Sequence, residues 1–283
     1  MNKCGICPRE CTKKAYCQKT DEFKIARAGL HFWEEPCVSG TNGSGTVFFS
    51  GCNMGCVFCQ NHQISSENFG KSVSEKRLKE IFKELEAQGA HNINLVTPSH
   101  YTDRLLPVLD ECPLPVVWNS SGYEKVSTLK ALNGKVQVYL PDFKFSLNET
   151  SEKYANAPDY PETAKSVILE MFAQRGPYKI EDGIIKSGVI IRHLILPENV
   201  ENTYGVIDWV SSTFKKGDVL FSLMSQYTPI KDVEYPELKR RITRKEYILC
   251  RNYMLKKGIT EGFVQELSSA KEEYTPPFDL SGV

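Results

Sequence analysis

Three closely spaced cysteines constrain most strongly what this chain can fold into. Cys52, Cys56 and Cys59 stand in the run GCNMGCVFCQN with the spacing C-x3-C-x2-C. Thiolates at this spacing can bind three irons of a cuboidal [4Fe–4S] cluster, whereas such clusters are normally held by four cysteines. One iron is then left without a ligand from the loop, and an open metal position is where chemistry takes place. The alternatives are a zinc site or thiols that bind no metal.

Composition places the chain among globular proteins of a reducing compartment. Its 283 residues are 41% hydrophobic, with 35 basic and 35 acidic residues, so no charge excess favours nucleic acid or an anionic membrane. It has no apolar run of about 18 residues and no signal-peptide pattern at its start. We therefore expect a cytoplasmic protein that binds neither nucleic acid nor membrane, with its cysteines used for metal or redox chemistry rather than disulfides.

After about residue 45 the apolar pattern alternates between strand and helix. Between residues 75 and 88, for example, Leu78, Ile81 and Phe82 recur at helical spacing. Asp182-Gly183 predicts the turn of a small hairpin within the range 178–187. The predicted sheet strands are 46–50, 91–97, 114–119, 135–143, 188–197 and 219–227, with one more possible strand at 261–267.

Repeated strand–helix units predict an α/β fold with a parallel sheet and right-handed crossovers. Six units suit an open, partial (β/α)6 barrel, since a closed barrel needs eight. A doubly wound sheet is the alternative, and both folds place functional residues at the carboxyl ends of the strands. We expect a cysteine-rich metal-binding segment at 1–44, the barrel at 45–245, and a C-terminal helix, strand and tail at 246–283 that pack on the barrel.

The run GCNMGCVFCQN resembles the signature of the radical S-adenosylmethionine (SAM) enzymes. The resemblance implies that Cys52, Cys56 and Cys59 hold a catalytic [4Fe–4S] cluster whose open iron binds the amino and carboxylate groups of SAM. It also implies that the reduced cluster cleaves SAM to a 5′-deoxyadenosyl radical, and that Phe58 packs near the adenine. A partial (β/α)6 barrel is the core fold of that family.

Polar residues stand at the predicted strand ends, where burial without a partner would be costly. They are Asn119 and Ser120 on the third strand, Asp142 and Lys144 on the fourth, and Arg192 and His193 on the fifth. We expect this set to bind SAM, with Lys144 and Arg192 making charge-assisted hydrogen bonds to its carboxylate or ribose oxygens. A buried structural network of Asp142, Lys144 and Arg192 is the alternative.

The strand ends narrow the resemblance to the pyruvate formate-lyase activating enzymes, which activate glycyl radical enzymes. Asp142 and Lys144 match the Asp-x-Lys motif of that group, and Arg192 matches an Arg that contacts SAM together with the Lys. The chain departs from family patterns at 97–99, where Thr-Pro-Ser replaces a Gly-Gly-Glu-like segment, and at Asn119, where activases offer an acidic residue to a monovalent cation. Nearly the whole chain resembles the PflX-like branch, including CxxCPxxC, VTPSHY, YLPDFKF and SLMSQYTP.

A second group of cysteines precedes the predicted barrel. Cys4, Cys7, Cys11 and Cys17 lie in a basic, polar stretch, which is a poor context for buried structural cysteines. Four thiolates can close a tetrahedral zinc site or hold a fully ligated iron–sulfur cluster. We expect a second metal site here, either zinc or an auxiliary iron–sulfur cluster. A thiol-rich arm without metal is the alternative, and Cys37 is a possible replacement for one ligand.

The functional expectation is an oxidoreductase of the radical SAM class that acts on a protein or peptide, as the activating enzymes do. A flavodoxin- or ferredoxin-type protein is the expected electron donor. The first alternative is a radical SAM enzyme with a small-molecule substrate. The second is a non-catalytic iron–sulfur or zinc protein that transfers electrons, which would not bind SAM.

Overall fold

The computed structural model describes residues 3–231, 233–267 and 276–283. Its strands are β1 (Phe23–His31), β2 (Ser44–Phe49), β3 (Lys71–Val73), β4 (Ile93–Val96), β5 (Val116–Ser120), β6 (Val138–Pro141), β7 (Lys179–Glu181), β8 (Ile184–Leu194), β9 (Leu220–Met224) and β10 (Gly262–Val264). Its helices are α1 (Pro36–Ser39), α2 (His62–Ser65), α3 (Glu75–Ala87), α4 (Thr102–Leu109), α5 (Val126–Lys130), α6 (Asn148–Ala155), α7 (Tyr160–Arg175), α8 (Val200–Thr213) and α9 (Arg244–Lys256). Short 3-10 helices cover Ser99–Tyr101 and Pro236–Lys239.

One sheet forms the centre of the fold, in the order β10-β9-β8-β6-β5-β4-β2-β1-β3. From β2 to β10 every neighbouring pair in this order is parallel. β1 pairs with β2, and β3 with β1, in antiparallel register. Because β10 and β3 lie at opposite ends of the order, the sheet formed by the described residues is open.

The sequence explains why the central strands are buried and why α3 begins where it does. β4, β5 and β6 are buried along their whole length, as parallel strands are when both faces of the sheet are covered. The side chain of Ser74 caps α3 by accepting a hydrogen bond from the Arg77 amide. The apolar face of α3 is buried as its helical periodicity predicts.

The predicted α/β fold with an open, mostly parallel sheet is confirmed. β10 forms at the possible additional strand and extends the parallel sheet. The hairpin is also confirmed, since β7 pairs antiparallel with the start of β8 and its turn residues Asp182 and Gly183 have φ values of 51° and 78°. Pro107 lies inside α4.

β1 and β3 are absent from the sequence-based expectation. β1 reads FKIARAGLH, in which Lys24 and Arg27 interrupt the apolar residues and Gly29 is a weak strand former. Its pairing with β2 over six residue pairs supplies the hydrogen bonds that local preference does not. Residues 23–31 therefore belong to the sheet, and the division of the chain at residue 44 stays a prediction.

None of the helices in the described ranges combines the length and the apolar character that crossing a bilayer requires.

Candidate active site

A cavity of about 310 Å³ opens at the carboxyl ends of the parallel strands. The cysteine loop leaves the end of β2 and forms one wall, and residues at or just after the ends of the other parallel strands form the rest. These include Thr97 after β4, Asn119 and Ser120 of β5, Asp142 and Lys144 after β6, Arg192 of β8, Met224 of β9 and Gln265 after β10. The volume suits a small organic ligand.

The cysteine loop is shaped by two glycines that no other residue could replace without strain. Gly51 and Gly55 have φ values of 87° and 69°. A Cβ atom on Gly51 would lie 2.1 Å from the Cys17 carbonyl oxygen, and one on Gly55 would lie 2.3 Å from the Tyr16 hydroxyl. The loop therefore packs directly against the N-terminal segment.

All three thiols of the loop line the cavity. Cys56 is buried, and Cys52 and Cys59 are partly exposed. The Met54 amide donates to the Cys52 sulfur at 3.4 Å, and the Ser65 hydroxyl donates to the Cys59 sulfur at 3.3 Å. Burial raises the pKa of the Cys56 thiol to about 12, against the opposing charge of Lys144. A cationic metal centre would offset the cost of forming this thiolate, so the thiols suit metal binding.

Phe58 lines the cavity from a cluster of aromatic rings. Its ring contacts those of Phe145, Tyr154 and Tyr227 edge to face, with centroid distances of 6.1, 6.2 and 6.3 Å. The Phe58 side chain is 6% exposed. The cluster fixes one apolar wall of the cavity beside the cysteine loop, and the resemblance predicts an adenine contact at Phe58.

Asp142, Lys144 and Arg192 form one ion-paired network that lines the same cavity. The Lys144 ammonium donates to Asp142 Oδ2 at 2.5 Å, and Arg192 Nε donates to Asp142 Oδ1 at 2.9 Å. These three residues therefore form the buried network that the sequence analysis gave as the alternative, and they also line the cavity. Burial alone would raise the pKa of Asp142, but Arg192 and Lys144 outweigh it and hold that pKa below its usual value.

Asn119 and Ser120 take different roles at the end of β5. The side-chain amide oxygen of Asn119, Oδ1, accepts a hydrogen bond from Arg192 at 2.6 Å. The Ser120 hydroxyl donates to the buried carboxylate of Glu124 at 2.9 Å. Both residues line the cavity. Asn119 orients the guanidinium, while Ser120 is held by Glu124 in the loop before α5.

Glu34 completes the network, and sequence reasoning missed it. Its Oε1 accepts hydrogen bonds from Asn94 and Asn119, and its Oε2 accepts one from Arg192 at 3.1 Å. This carboxylate is hydrogen-bonded to Asn119, the strand position at which the sequence has no acidic residue. The available signal was the pair Glu34-Glu35 between two aromatic residues and Pro36, although nothing local shows that this segment reaches β8.

Comparison with known proteins assigns the chain to a family. A family model described as the radical SAM superfamily matches residues 46–161. The uncharacterized protein MJ0674 of Methanocaldococcus jannaschii is 32% identical over 264 residues, which cover 87% of this chain and 72% of that protein. The chain belongs to the radical SAM superfamily.

Two solved structures show the same fold. Streptococcus suis SuiB bound to S-adenosylmethionine aligns with a TM-score of 0.51 at 14% identity, covering 78% of this chain and 50% of SuiB. The FeFe-hydrogenase maturase HydG from Carboxydothermus hydrogenoformans aligns with a TM-score of 0.52 at 14% identity, covering 79% of this chain and 53% of HydG. This radical SAM chain spans about half the length of both proteins.

Membership in the superfamily implies a [4Fe–4S] cluster and SAM, and the residues of the cavity fit both. Three thiols line the cavity, and no fourth thiol is among its described lining residues. That donor set suits a cluster with one open iron. The remaining walls supply an apolar aromatic surface and a charged network, as an adenosyl group joined to an amino acid requires.

His193 is not part of this radical SAM site, contrary to the sequence-based expectation. It is fully buried and does not line the cavity. Its Nδ1 lies 2.7 Å from the Phe143 carbonyl oxygen and its Nε2 lies 3.0 Å from the Thr203 hydroxyl. Adjacent strand residues point to opposite faces of a sheet, so Arg192 in the cavity directs His193 away from it.

Cys4, Cys7, Cys11 and Cys17 line a small second cavity of about 20 Å³ behind the cysteine loop. The Tyr16 amide donates to the Cys11 sulfur at 3.4 Å. Cys37 does not line this cavity; it is buried in α1 within a separate apolar cluster. Nothing in the structure therefore supports Cys37 as a replacement ligand.

His100 also lines the second cavity. Its Nε2 lies 2.9 Å from the Ser50 carbonyl oxygen, and its buried Nδ1 has no hydrogen-bond partner in the described part of the chain. Within residues 3–231, 233–267 and 276–283, no three His, Cys, Asp or Glu side chains are arranged to hold a single metal ion. The finding also covers the three thiols of the cysteine loop. They are expected to bind a cluster, in which each thiolate binds a different iron, so they do not need to converge on one ion.

Arg9 links the second group of cysteines to the cysteine loop. Its guanidinium donates to the Asn53 and Met54 carbonyl oxygens, each at 2.9 Å, and to the Ala155 carbonyl oxygen at 2.9 Å. The guanidinium also lies 4.2 Å from the centroid of the Tyr16 ring. Two carbonyls between Cys52 and Cys56 are thus held from the N-terminal segment.

Proposed function

We propose that this chain reductively cleaves SAM and uses the resulting 5′-deoxyadenosyl radical to abstract a hydrogen atom from a protein or peptide. The observation that carries the proposal is the single cavity in which three thiols face a network of Asp142, Lys144 and Arg192. When bound there, the cluster supplies the electron for cleavage. A flavodoxin- or ferredoxin-type protein is the proposed donor of that electron.

Different residues of the cavity are proposed to bind the cluster, the adenine of SAM and the carboxylate of SAM. Cys52, Cys56 and Cys59 hold the cluster, and Phe58 packs against the adenine of SAM. Lys144 has ammonium protons left beyond its contact with Asp142, and it is the proposed partner of the SAM carboxylate. The raised pKa of Lys144, which Asp142 and the Cys56 thiol produce against the effect of burial, keeps it charged.

An open sheet supports a macromolecular substrate, because a polypeptide segment can enter a cavity that a closed barrel would exclude. By resemblance, the proposed role is that of an activating enzyme in the PflX-like branch. The competing proposal is a small-molecule substrate. Reconstituted protein that forms deoxyadenosine at full rate without a protein partner would favour the small molecule, and dependence on a partner would favour the activase role.

The direct test of the radical chemistry compares wild-type protein with the Cys56→Ala variant after anaerobic reconstitution with iron and sulfide. Wild type should form 5′-deoxyadenosine from SAM and a reductant, and Cys56→Ala should form none. Cys250→Ala is the matched control, because Cys250 is buried in α9 and does not line the cavity. Retained turnover in Cys56→Ala would exclude the proposed site.

We also propose a second metal centre at Cys4, Cys7, Cys11 and Cys17. The proposed occupant is an iron–sulfur cluster, in which each thiolate binds a different iron. Zinc is the alternative, and it would require the thiols to move, because no three His, Cys, Asp or Glu side chains of the described residues are arranged around a single ion. The four thiols converge on one cavity, where the buried Nδ1 of His100 lacks a partner among the described residues. A variant with Ala at all three cysteines of the loop should retain stoichiometric zinc, or iron and sulfide, at the N-terminal site. A metal-free variant that is still folded would exclude the second centre.

A further inference from the structure

The N-terminal segment is much more basic than the rest of the chain. Residues 3–19 contain five basic residues and one acidic residue, although the whole chain has 35 of each. The acidic residue is Glu10, and its carboxylate is ion-paired with two lysines. Lys13 and Lys14 are exposed and form no ion pair with a described residue. The segment therefore presents an uncompensated positive surface, which attracts an acidic partner.

An exposed aromatic ring lies in the same segment. The Tyr16 side chain is 41% exposed, and the guanidinium of Arg9 lies over its ring. The Tyr16 hydroxyl lies 3.5 Å from the carbonyl oxygen of Met54 in the cysteine loop. Tyrosine and arginine are enriched at protein–protein interfaces and at the positions that contribute most to binding. The segment therefore combines exposed lysines with a side chain suited to the centre of an interface.

The cysteine loop reaches the protein surface beside this segment. Val57 directly follows Cys56, is 36% exposed and is not among the residues that line the main cavity. The Val57 amide donates to the Tyr154 carbonyl oxygen at 2.9 Å. Arg9 donates to the next carbonyl oxygen, that of Ala155. The loop and the N-terminal segment therefore meet at the end of α6, on a surface that is separate from the cavity lining.

We propose that the surface formed by Lys13, Lys14, Tyr16 and Val57 is the docking site of the acidic electron-transfer protein that reduces the cluster. The inference rests on the proposed function, which requires such a donor. A donor bound here lies next to Cys56 and leaves the cavity free for SAM and the substrate. The donor loses one electron, the cluster gains it, and no bond forms or breaks. Positive charge on this surface steers an acidic donor and fixes its orientation.

The test combines Lys13→Glu with Lys14→Glu and titrates the reconstituted protein with an oxidised, acidic flavodoxin. Oxidised flavodoxin supplies no electron, so calorimetry measures docking alone. We expect at least about 10-fold weaker binding than in wild type, because like charges then face each other. The remaining affinity should also depend less on salt. The matched control combines Lys215→Glu with Lys216→Glu, an exposed lysine pair in the loop before β9 at the amino ends of the parallel strands.

Turnover with two reductants separates docking from the radical chemistry. Dithionite reduces the cluster without a docked protein, so the Lys13→Glu/Lys14→Glu variant should then form deoxyadenosine at the wild-type rate. With reduced flavodoxin below its dissociation constant, the rate should fall by the same factor as the affinity. Absence of deoxyadenosine from wild type with dithionite would remove the proposed function, and the titrations with oxidised flavodoxin would still decide the docking site.

Equal flavodoxin affinity in wild type and the Lys13→Glu/Lys14→Glu variant would overturn the proposal, as would no measurable binding to wild type. Equal weakening in the control pair would also overturn it, because the attraction would then belong to the whole molecule. Sedimentation of the protein alone tests a second copy of the chain as the occupant. A wild-type dimer that the Lys13→Glu/Lys14→Glu variant dissociates would assign the surface to self-association and overturn the proposal.

Discussion

At the scale of single residues, Arg192 joins three parts of the chain that are distant in sequence. Its guanidinium contacts Asp142 after β6, Asn119 of β5, and Glu34 before α1. A guanidinium spreads five N–H donors over three nitrogens in one plane and so reaches separated acceptors, whereas an ammonium has three donors on a single nitrogen. Arg192 therefore fixes the geometry of the charged wall as well as its charge.

Arg192→Lys keeps the charge and removes this geometry. We expect the free energy of unfolding to fall by about 1–3 kcal/mol and SAM affinity to fall at least about 10-fold, because at least one hydrogen bond to a charged group is lost. Urea denaturation and SAM titration are the measurements. Arg251→Lys, on an exposed position of α9, should change neither value; unchanged values in Arg192→Lys would contradict the role assigned to the guanidinium.

His193 makes stability depend on pH. Burial lowers the pKa of His193 to about 4 in the folded state, below the value of about 6.5 in an unfolded chain. Between these values the unfolded state binds one more proton, so stability is full above about pH 6.5 and falls as the pH drops toward 4. His193→Gln should lessen this slope by about 1.4 kcal/mol per pH unit. Urea denaturation across this range tests it, and a slope equal to that of an exposed-site control, His62→Gln, would contradict it.

The sequence predicted part of this residue-level picture for definite physical reasons. Asp142 and Lys144 lie two residues apart, so strand alternation puts them on one side, and the topology brings Arg192 beside them. The same alternation excludes His193 from the cavity, because His193 follows Arg192 directly in β8 and points to the opposite face of the sheet. Glu34 could not be predicted, because its contact with Arg192 spans 158 residues of chain and depends on where the segment before α1 lies.

At the scale of elements, the cysteine loop depends on two supports. The end of β2 positions its start, and the N-terminal segment holds its middle through Arg9. Arg9 also donates to the carbonyl oxygens at the end of α6, where the helix dipole favours a positive charge. The strand-to-loop order was predictable from the sequence, whereas the packing of the N-terminal segment against the loop was not, because basic residues in a polar stretch look solvent-exposed.

Arg9→Gln should loosen the loop without removing a thiol. We expect less iron and sulfide retained per chain after reconstitution and at least about 10-fold slower deoxyadenosine formation, since several hydrogen bonds to one charged group are lost. Lys14→Gln, an exposed residue of the same segment, is the matched control. Metal content and turnover equal to wild type in Arg9→Gln would show that the loop holds its shape unaided.

At the scale of the whole molecule, the parallel strands form an open sheet whose carboxyl ends collect the thiols, the aromatic wall and the charged network in one cavity. The alternation of strand and helix made that arrangement predictable from sequence. β1 and β3 were not predictable, because their pairing with the edge of the sheet, rather than their apolar pattern, makes them strands. Through them the N-terminal part of the chain joins the sheet that carries the site.

The central claim is that three thiols leave one iron open and that SAM occupies it. Electron paramagnetic resonance of the reduced, reconstituted protein, recorded with and without SAM, tests this most directly. We expect a [4Fe–4S]⁺ signal whose g values change when SAM is added, and the change should be absent in Cys56→Ala. A wild-type cluster signal that SAM leaves unchanged would show that SAM does not bind the open iron.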